Sequence, residues 1–227
     1  MAEDYINLND PRSQSLAEVS LIEQLQAIAR QVDEALREAR LLIDNYLEGR
    51  LEVVKTKYDR VEMLKNKCEE LKSKAIEYLV RVTPSLLNKD IYRTIIIALS
   101  KISQDIDSAT YRTKILASKN KVLDTDTTKM VKEILEEFSK QYNKLLDTIR
   151  ILGINPANAA KTADEVLKIE ETIDKLYREA SLMLYENLEN DIPVLLITKE
   201  FVDLIESASD LVRDIAENIK YLALHKV

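Results

Sequence analysis

Hydrophobic residues recur along most of the chain at alternating spacings of three and four positions. The first such segment runs from Ser15 to Glu48, and Gly49 is expected to end it, because helices commonly stop at a glycine in a left-handed conformation. The apolar stripe of this segment consists of Ile22, Leu25, Ala29, Val32, Leu36, Ala39, Ile43 and Tyr46. This pattern predicts a long amphipathic helix that packs within a bundle.

The same spacing predicts five further helices, separated by capping residues and prolines. In chain order, we expect them over residues 50–82, 89–121, 124–152, 156–190 and 198–225. Asp124 and Asn155 are expected to cap the fourth and fifth helices, because short polar side chains accept hydrogen bonds from the free N–H groups of a first turn. Pro193 is expected to interrupt the chain, and Thr198 to cap the sixth helix.

The six predicted helices fall into two sets of three that resemble each other. Apolar positions of the second helix align with those of the fifth: Val61, Leu64, Leu71, Ala75 and Leu79 with Val166, Ile169, Leu176, Ala180 and Leu184. The third and sixth helices align so that Asp107 matches Glu206. We therefore expect an irregular arm over residues 1–14, a first three-helix repeat over 15–123 and a second over 124–227. The predicted fold is all-α, with six long helices as two tandem three-helix bundles.

Composition supports an all-helical fold and excludes several classes of enzyme. The 227 residues include only two glycines and four prolines, whereas average usage would give about 7% glycine. Tight hairpins and phosphate-binding loops depend on glycine, so a dinucleotide-binding fold, a phosphate-loop enzyme and a β-sandwich are excluded. Hydrophobic residues make up 46% of the chain, enough for a packed core.

Charge and cysteine content narrow the class of protein further. The formal net charge is −7, which argues against nucleic acid as a partner, because such proteins carry a basic surface. No apolar run reaches the 18 residues that a membrane-spanning helix needs, and the polar N-terminus is unlike a signal peptide. A single cysteine, Cys68, fits a reducing compartment. We expect a cytoplasmic protein.

The candidate chemistry lies in carboxylates on the fifth and sixth helices. Glu170 and Asp174 are four residues apart on one helix, and Glu206, Asp210 and Asp214 follow at the same spacing on the other. Residues four apart share a helix face, so these acids form two stripes. Like charges at this spacing destabilise a helix, whereas a bound cation would stabilise them, and carboxylate oxygens suit hard metal ions.

The alternative is a solvated acidic face without a ligand. Arg213, Lys175 and Arg178 lie close enough in sequence to neutralise much of the stripe. The only histidine, His225, excludes the Glu-x-x-His pairs of di-iron bundles and histidine-based catalytic triads. Cys68 falls on the apolar stripe of the second helix, where it is expected to be a small core residue.

Three segments resemble the PhoU-like family of phosphate-uptake regulators. Residues 205–222 (IESASDLVRDIAENIKYL) resemble its Glu-x-x-x-Asp signature helix, and residues 95–107 (IIIALSKISQDID) resemble the matching helix of a first repeat. Residues 169–174 (IEETID) resemble the partner helix of the short branch of the family that accompanies phosphate permeases. Together with the chain length and the six-helix order, the similarity extends over residues 16–225.

The resemblance implies two three-helix bundles with a metal ion bound on surface carboxylates. The implied ligands are Glu170, Asp174, Glu206 and Asp210, for a divalent or ferric ion that is left open among iron, zinc and magnesium. Asp214 or Glu217 is expected as an outer ligand. The implied partners are a membrane phosphate transporter, either a permease or an ABC type, and in some members a sensor kinase. Membrane association would be peripheral and through that partner, and a homodimer is expected.

The first repeat departs from the family pattern. Lys65 and Tyr111 stand where acids are expected, although Glu69 and Asp107 are retained. We expect the ammonium group of Lys65 to lie among these carboxylates and to replace a metal ion, so that only the second repeat binds metal. The alternative is that Lys65 extends into solvent and that the first repeat has lost any such role.

Three functions remain open from the sequence. The first is a non-catalytic regulator of phosphate uptake that acts by contact with a transporter. The second is a helical scaffold or adaptor without metal, in which the carboxylates only keep the protein in solution. The third is a carboxylate-bridged metal enzyme, which ranks last because no nucleophile and base are paired in the sequence.

Overall fold

The computed structural model describes residues 11–83, 86 and 88–225, and within these ranges all regular structure is helical. The helices are α1 (Pro11–Leu47), α2 (Leu51–Lys57), α3 (Asp59–Val82), α4 (Lys89–Ser118), α5 (Thr125–Leu152), α6 (Pro156–Asn187) and α7 (Ile192–Leu224). The predicted all-α class is confirmed. None of these helices is long and apolar enough to cross a membrane.

The helix predicted over residues 50–82 is divided into α2 and α3 at Tyr58. The backbone of Tyr58 keeps helical angles, with φ −54° and ψ −38°. The N–H of Val61 donates to the Tyr58 carbonyl over 2.9 Å, a three-residue spacing, while the four-residue bond from Glu62 is stretched to 3.4 Å. The division is therefore a local tightening of one long helix, and the six-helix architecture is preserved.

Two predicted helix starts were wrong. The helix α1 begins at Pro11, so residues 11–14 of the expected irregular arm are helical, and residues 1–10 lie outside the described part of the chain. The helix α7 begins at Ile192 instead of Thr198, with Pro193 in its first turn and Asp191 as its cap. Proline is tolerated there because the first N–H groups of a helix have no partner within the helix. Thr198 is buried inside α7.

Two predicted helix ends also lie further along the chain than the observed ones. The helix α4 ends at Ser118, because Asn120 adopts a positive φ of 51° that a continuing helix does not allow. The helix α6 ends at Asn187 rather than near Asn190. Gly49 does end the first helix as predicted, with a φ of +79° that suits glycine.

The expected caps of α5 and α6 are present. The Asp124 carboxylate accepts hydrogen bonds from the backbone N–H groups of Asp126, over 3.0 Å, and Thr127, over 2.9 Å. Partial burial acts to raise the pKa of Asp124, but these bonds and one from the Thr127 hydroxyl together lower it below its ordinary value. The Asn155 side chain accepts from the N–H of Asn158 over 3.1 Å. Both helix starts are therefore defined by local sequence.

The helices pack as two sets that share one continuous core. The helices α1, α3 and α4 pack together, as do α5, α6 and α7, while α4 against α7 and α1 against α5 join the sets. At the α1–α5 contact, Tyr142 is fully buried and its hydroxyl donates to the Ala29 carbonyl over 2.9 Å. The chain passes between the sets at residues 119–124. This arrangement places α6 and α7, which carry the candidate acids, side by side.

Candidate carboxylate site

Three of the predicted acids meet where α6 packs against α7. One carboxylate oxygen from each of Glu170, Asp174 and Asp210 lies within 4.8 Å of the other two. Asp174 and Asp210 are half-buried, whereas Glu170 is only 7% exposed. A group of three carboxylates from two helices is a donor set that suits a hard cation.

Arg213 already supplies positive charge to this group. Its Nη1 donates to Oε1 of Glu170 over 2.6 Å and to Oδ1 of Asp210 over 2.7 Å. Its Nη2 donates to Oδ1 of Asp214 over 3.1 Å. On the other side, Arg178 donates to Asp174 over 3.3 Å. Arg213 and Arg178 therefore neutralise part of the negative charge of these acids, as their spacing in the sequence indicated.

The remaining two predicted ligands lie outside the group of three. Asp214 is exposed and contacts the guanidinium of Arg213, which separates it from Glu170 and Asp210. Glu206 is half-buried, and Asp210 and Asp174 are near enough for their charges to raise its pKa. The structure thus brings together three of the five predicted residues.

The expectation of a purely surface site was wrong for Glu170. The predicted apolar stripe of the fifth helix placed Ile169 on the core side, but Ile169 is half-exposed and Glu170 is buried. Glu170 is four residues after Val166 and three before Ile173, and both of these are buried. The same spacing of three and four therefore fits Glu170 as well as Ile169, and sequence spacing could have revealed it.

Burial and charge alter the titration of the two glutamates. Burial raises the pKa of Glu170 above its ordinary value, and the Arg213 guanidinium opposes part of that increase. Burial also raises the pKa of Glu206, and the nearby Asp210 and Asp174 raise it further. A cation close to these residues would lower the pKa of both glutamates, because an opposite charge favours the ionised carboxylate.

In the first repeat, hydrogen bonds replace the expected lysine contact. The Tyr58 hydroxyl donates to Oδ1 of Asp107 over 2.9 Å, and the Gln104 amide donates to Oε1 of Glu69 over 3.0 Å. Lys65 forms no ion pair with any described carboxylate, although its charge acts to lower the pKa of Asp107, which burial raises. Lys65 therefore does not pair with these acids, and the prediction of an internal cation was wrong.

The second repeat contains a related tyrosine–aspartate contact that the sequence analysis missed. The Tyr177 hydroxyl of α6 donates to Oδ1 of Asp203 on α7 over 2.9 Å, and the ammonium of Lys199 contacts both groups. Asp203 precedes Glu206 by three residues, so this contact adjoins the carboxylate group. The scattered tyrosines gave no periodic signal in the sequence from which this pairing could be predicted.

A metal ion fits the donor chemistry of the site but competes with Arg213. Glu170 and Asp210 each use one oxygen to accept a hydrogen bond from Nη1 of Arg213. A bound cation would therefore have to displace that guanidinium or use the other carboxylate oxygens. Asp174 and Glu206 form no ion pair with Arg213, so they are free of this competition.

Several solved structures of PhoU and PhoU-like proteins share this fold. PhoU from Pseudomonas aeruginosa matches with a TM-score of 0.77 at 17% identity, covering 93% of this chain and 99% of that one. A protein described as a PhoU-like phosphate regulatory protein from Shewanella oneidensis MR-1 matches with a TM-score of 0.73 at 15% identity, covering 91% of this chain and 100% of that one. A second PhoU-like protein from the same organism has a TM-score of 0.73 at 14% identity.

These likenesses confirm, at the level of the fold, the resemblance that the sequence indicated. The matches extend over nearly the whole of both chains, so the tandem arrangement of helix bundles is shared. No protein-family model matches the sequence. No curated protein matches it either.

Proposed function

We propose that this chain is a non-catalytic regulator of phosphate uptake. The observation that carries the proposal is the full-length likeness in fold to PhoU and to a phosphate regulatory protein. The signature segments in α4, α6 and α7 support it independently, since their likeness to the family lies in the sequence and not in the fold. The long helices also present broad faces for another protein, which is what regulation by contact requires.

The proposed partner is a membrane phosphate transporter, either a permease or an ABC type. The protein would work in the cytoplasm, reach the membrane only through that partner and form a homodimer, and a sensor kinase is a further candidate partner. The family resemblance supports each of these assignments. The acidic net charge of −7 also favours basic protein surfaces over anionic lipid as a direct contact.

We further propose that a divalent or ferric ion binds at the carboxylate site of the second repeat. Glu170, Asp174 and Asp210 support it by their convergence, and Glu206 and Asp214 would complete the set as more distant ligands. Such an ion would supply positive charge between α6 and α7. The carboxylates of this chain would hold it, and Arg213 would have to release at least part of its hydrogen bonding.

The second candidate function is a helical scaffold without metal. One observation favours it: Arg213 and Arg178 already provide ion-pair partners for Glu170, Asp174, Asp210 and Asp214. A site whose carboxylates already have arginine partners needs no additional cation to hold α6 against α7. Metal analysis distinguishes this candidate from the first.

Cells that lack this chain test the regulatory proposal. We expect their rate of radiolabelled phosphate uptake, and the expression of a phosphate-starvation reporter, to differ from those of wild-type cells in phosphate-rich medium. Re-expression of the chain should restore both measurements. Uptake and reporter levels that are unchanged by deletion, at both high and low phosphate, would overturn the proposal.

Metal content of the purified protein tests the proposed site. After treatment with a chelator and reloading with iron, zinc or magnesium, the wild type is expected to retain a stoichiometric amount of one ion. The double change Asp174→Asn with Asp210→Asn should abolish retention, because it removes two of the three carboxylates that converge at the site. A matched control is Glu70→Gln with Glu77→Gln, which removes two exposed acids of α3, away from the site, and should retain the metal. Equal metal content in both double variants would contradict the assignment.

A further inference from the structure

An apolar groove lies between α5 and α6, away from the carboxylate site. It has a volume of about 350 Å³, and Met130, Leu176 and Met183 provide its apolar lining. With 3.6 residues per helical turn, Leu176 and Met183 lie on the face of α6 opposite to Glu170 and Asp174. The groove is therefore a separate surface of the second repeat.

Six of the nine residues that line this groove are polar, and the five charged ones carry unbalanced negative charge. They are four acids and one lysine: Asp126, Glu133, Glu179, Glu186 and Lys129. Within the described part of the chain, none of the five forms an ion pair. This differs from the carboxylate site, where arginine side chains contact the acids.

The helix dipole explains the position of one of these acids but not of the other three. Asp126 lies in the first turn of α5, where negative charge is favourable. Glu186, in contrast, is the penultimate residue of α6, where the helix dipole makes a negative charge unfavourable. Glu133 and Glu179 lie in helix interiors. Their negative charge is therefore available for a positively charged partner.

One exposed apolar side chain on α6 extends the surface beside the groove. It belongs to Leu182, which is 62% exposed. Leu182 lies three residues after Glu179 and four before Glu186, so all three share one helix face. A groove with apolar lining, an exposed apolar neighbour and acidic margins is the complement of an amphipathic helix with a basic polar face.

We propose that this groove binds a basic amphipathic helix of a partner protein. Apolar side chains at spacings of three and four would enter the groove beside Met130 and Met183, and methionine adapts its shape to such side chains. Lysine and arginine residues flanking that apolar face would contact Glu133, Glu179 and Glu186. The proposal does not depend on the phosphate-regulatory role or on metal binding.

A labelled synthetic peptide tests this surface directly. The probe is an 18-residue helical peptide of leucine, lysine and alanine, with leucine at helical spacing, and its affinity for the full chain is measured by fluorescence anisotropy. We expect saturable binding that weakens as salt is raised, because charge attraction contributes. Hydrogen exchange should slow in the first half of α5 and the second half of α6. A scrambled peptide of the same composition has no apolar face and should bind at least about tenfold more weakly.

Two sets of variants separate the groove from general charge attraction. Glu133→Gln with Glu186→Gln, and separately Met183→Ser, should each weaken peptide binding by about tenfold, because they remove acidic margin and apolar lining. Glu70→Gln with Glu77→Gln, on α3, changes the net charge equally and should leave binding unchanged. Equal weakening by this control, equal binding of the scrambled peptide or no binding to the wild type would overturn the proposal. Conversion of a wild-type dimer to monomer by Met183→Ser would also overturn it, because a second copy would then occupy the groove.

Discussion

Replacing Arg213 with methionine is expected to lower the free energy of unfolding by about 2 kcal/mol at neutral pH. The change leaves the buried Glu170 carboxylate without the guanidinium that contacts it over 2.6 Å. Loss of one partner from a fully buried ion pair costs about 3–5 kcal/mol. The expected cost is smaller here because the Arg213 side chain is 35% exposed, so solvent screens part of the interaction. Methionine keeps much of the aliphatic length, which limits the loss of packing.

The destabilisation should depend on pH in a defined direction. The pKa of Glu170 in the folded protein is raised by burial and held down in part by Arg213, so removal of Arg213 raises it further. A carboxyl whose pKa is higher in the folded than in the unfolded state binds more protons when folded, and stability then falls as pH rises through that interval. The deficit of the variant is therefore largest at neutral pH and becomes smaller as Glu170 is protonated at lower pH.

Chemical denaturation of metal-free protein from about pH 5, just above the ordinary glutamate pKa of about 4.3, to about pH 8 measures this effect. Arg213→Met combined with Glu170→Gln should recover most of the lost stability, because the unpaired charge is removed with its partner. Arg178→Met is the matched control, since Arg178 is highly exposed and pairs with a half-buried acid. An equal loss in the control, or a deficit independent of pH, would contradict the role given to Glu170.

Regular patterns explain which parts of this fold the sequence could predict. The spacing of three and four identified the long helices, and the local side-chain chemistry of Asp124 and Asn155 identified two helix starts. Proline was less informative, because the same residue that breaks a helix interior is favourable in a first turn. Pro193 was assigned to the wrong one of these two roles.

Contacts between helices explain what the sequence could not predict at the candidate site. Spacing placed Glu170, Asp174 and Asp210 on facing stripes, and the structure brings them together. The spacing did not predict that Arg213 donates to both Glu170 and Asp210, because these contacts depend on the orientation of α6 relative to α7. The bond from Tyr58 to Asp107 depends in the same way on the packing of separate helices.

Replacing Ile173 with aspartate should unfold the protein or disrupt the second bundle, with a loss of more than about 4 kcal/mol. Ile173 is 1% exposed and belongs to the shared core, so the new carboxylate would lose its water without gaining a cation. Leu36→Asp, at a position 5% exposed on α1, should have a similar effect. Because the two bundles share one core, we expect either change to lower the stability of the whole chain. Circular dichroism during thermal unfolding measures both losses.

Asp210→Asn is the control for the two core substitutions. Asp210 is half-buried at the candidate site, and asparagine retains an oxygen that can accept from Arg213, so the loss should stay below about 1 kcal/mol. The helices α6 and α7 would remain in contact through Ile173, Val202 and Ile205, which are all buried. Equal loss of melting temperature from all three variants would show that the core positions are wrongly assigned. A large loss from Asp210→Asn alone would instead mean that charge at the α6–α7 contact, rather than the apolar core, holds the second bundle together.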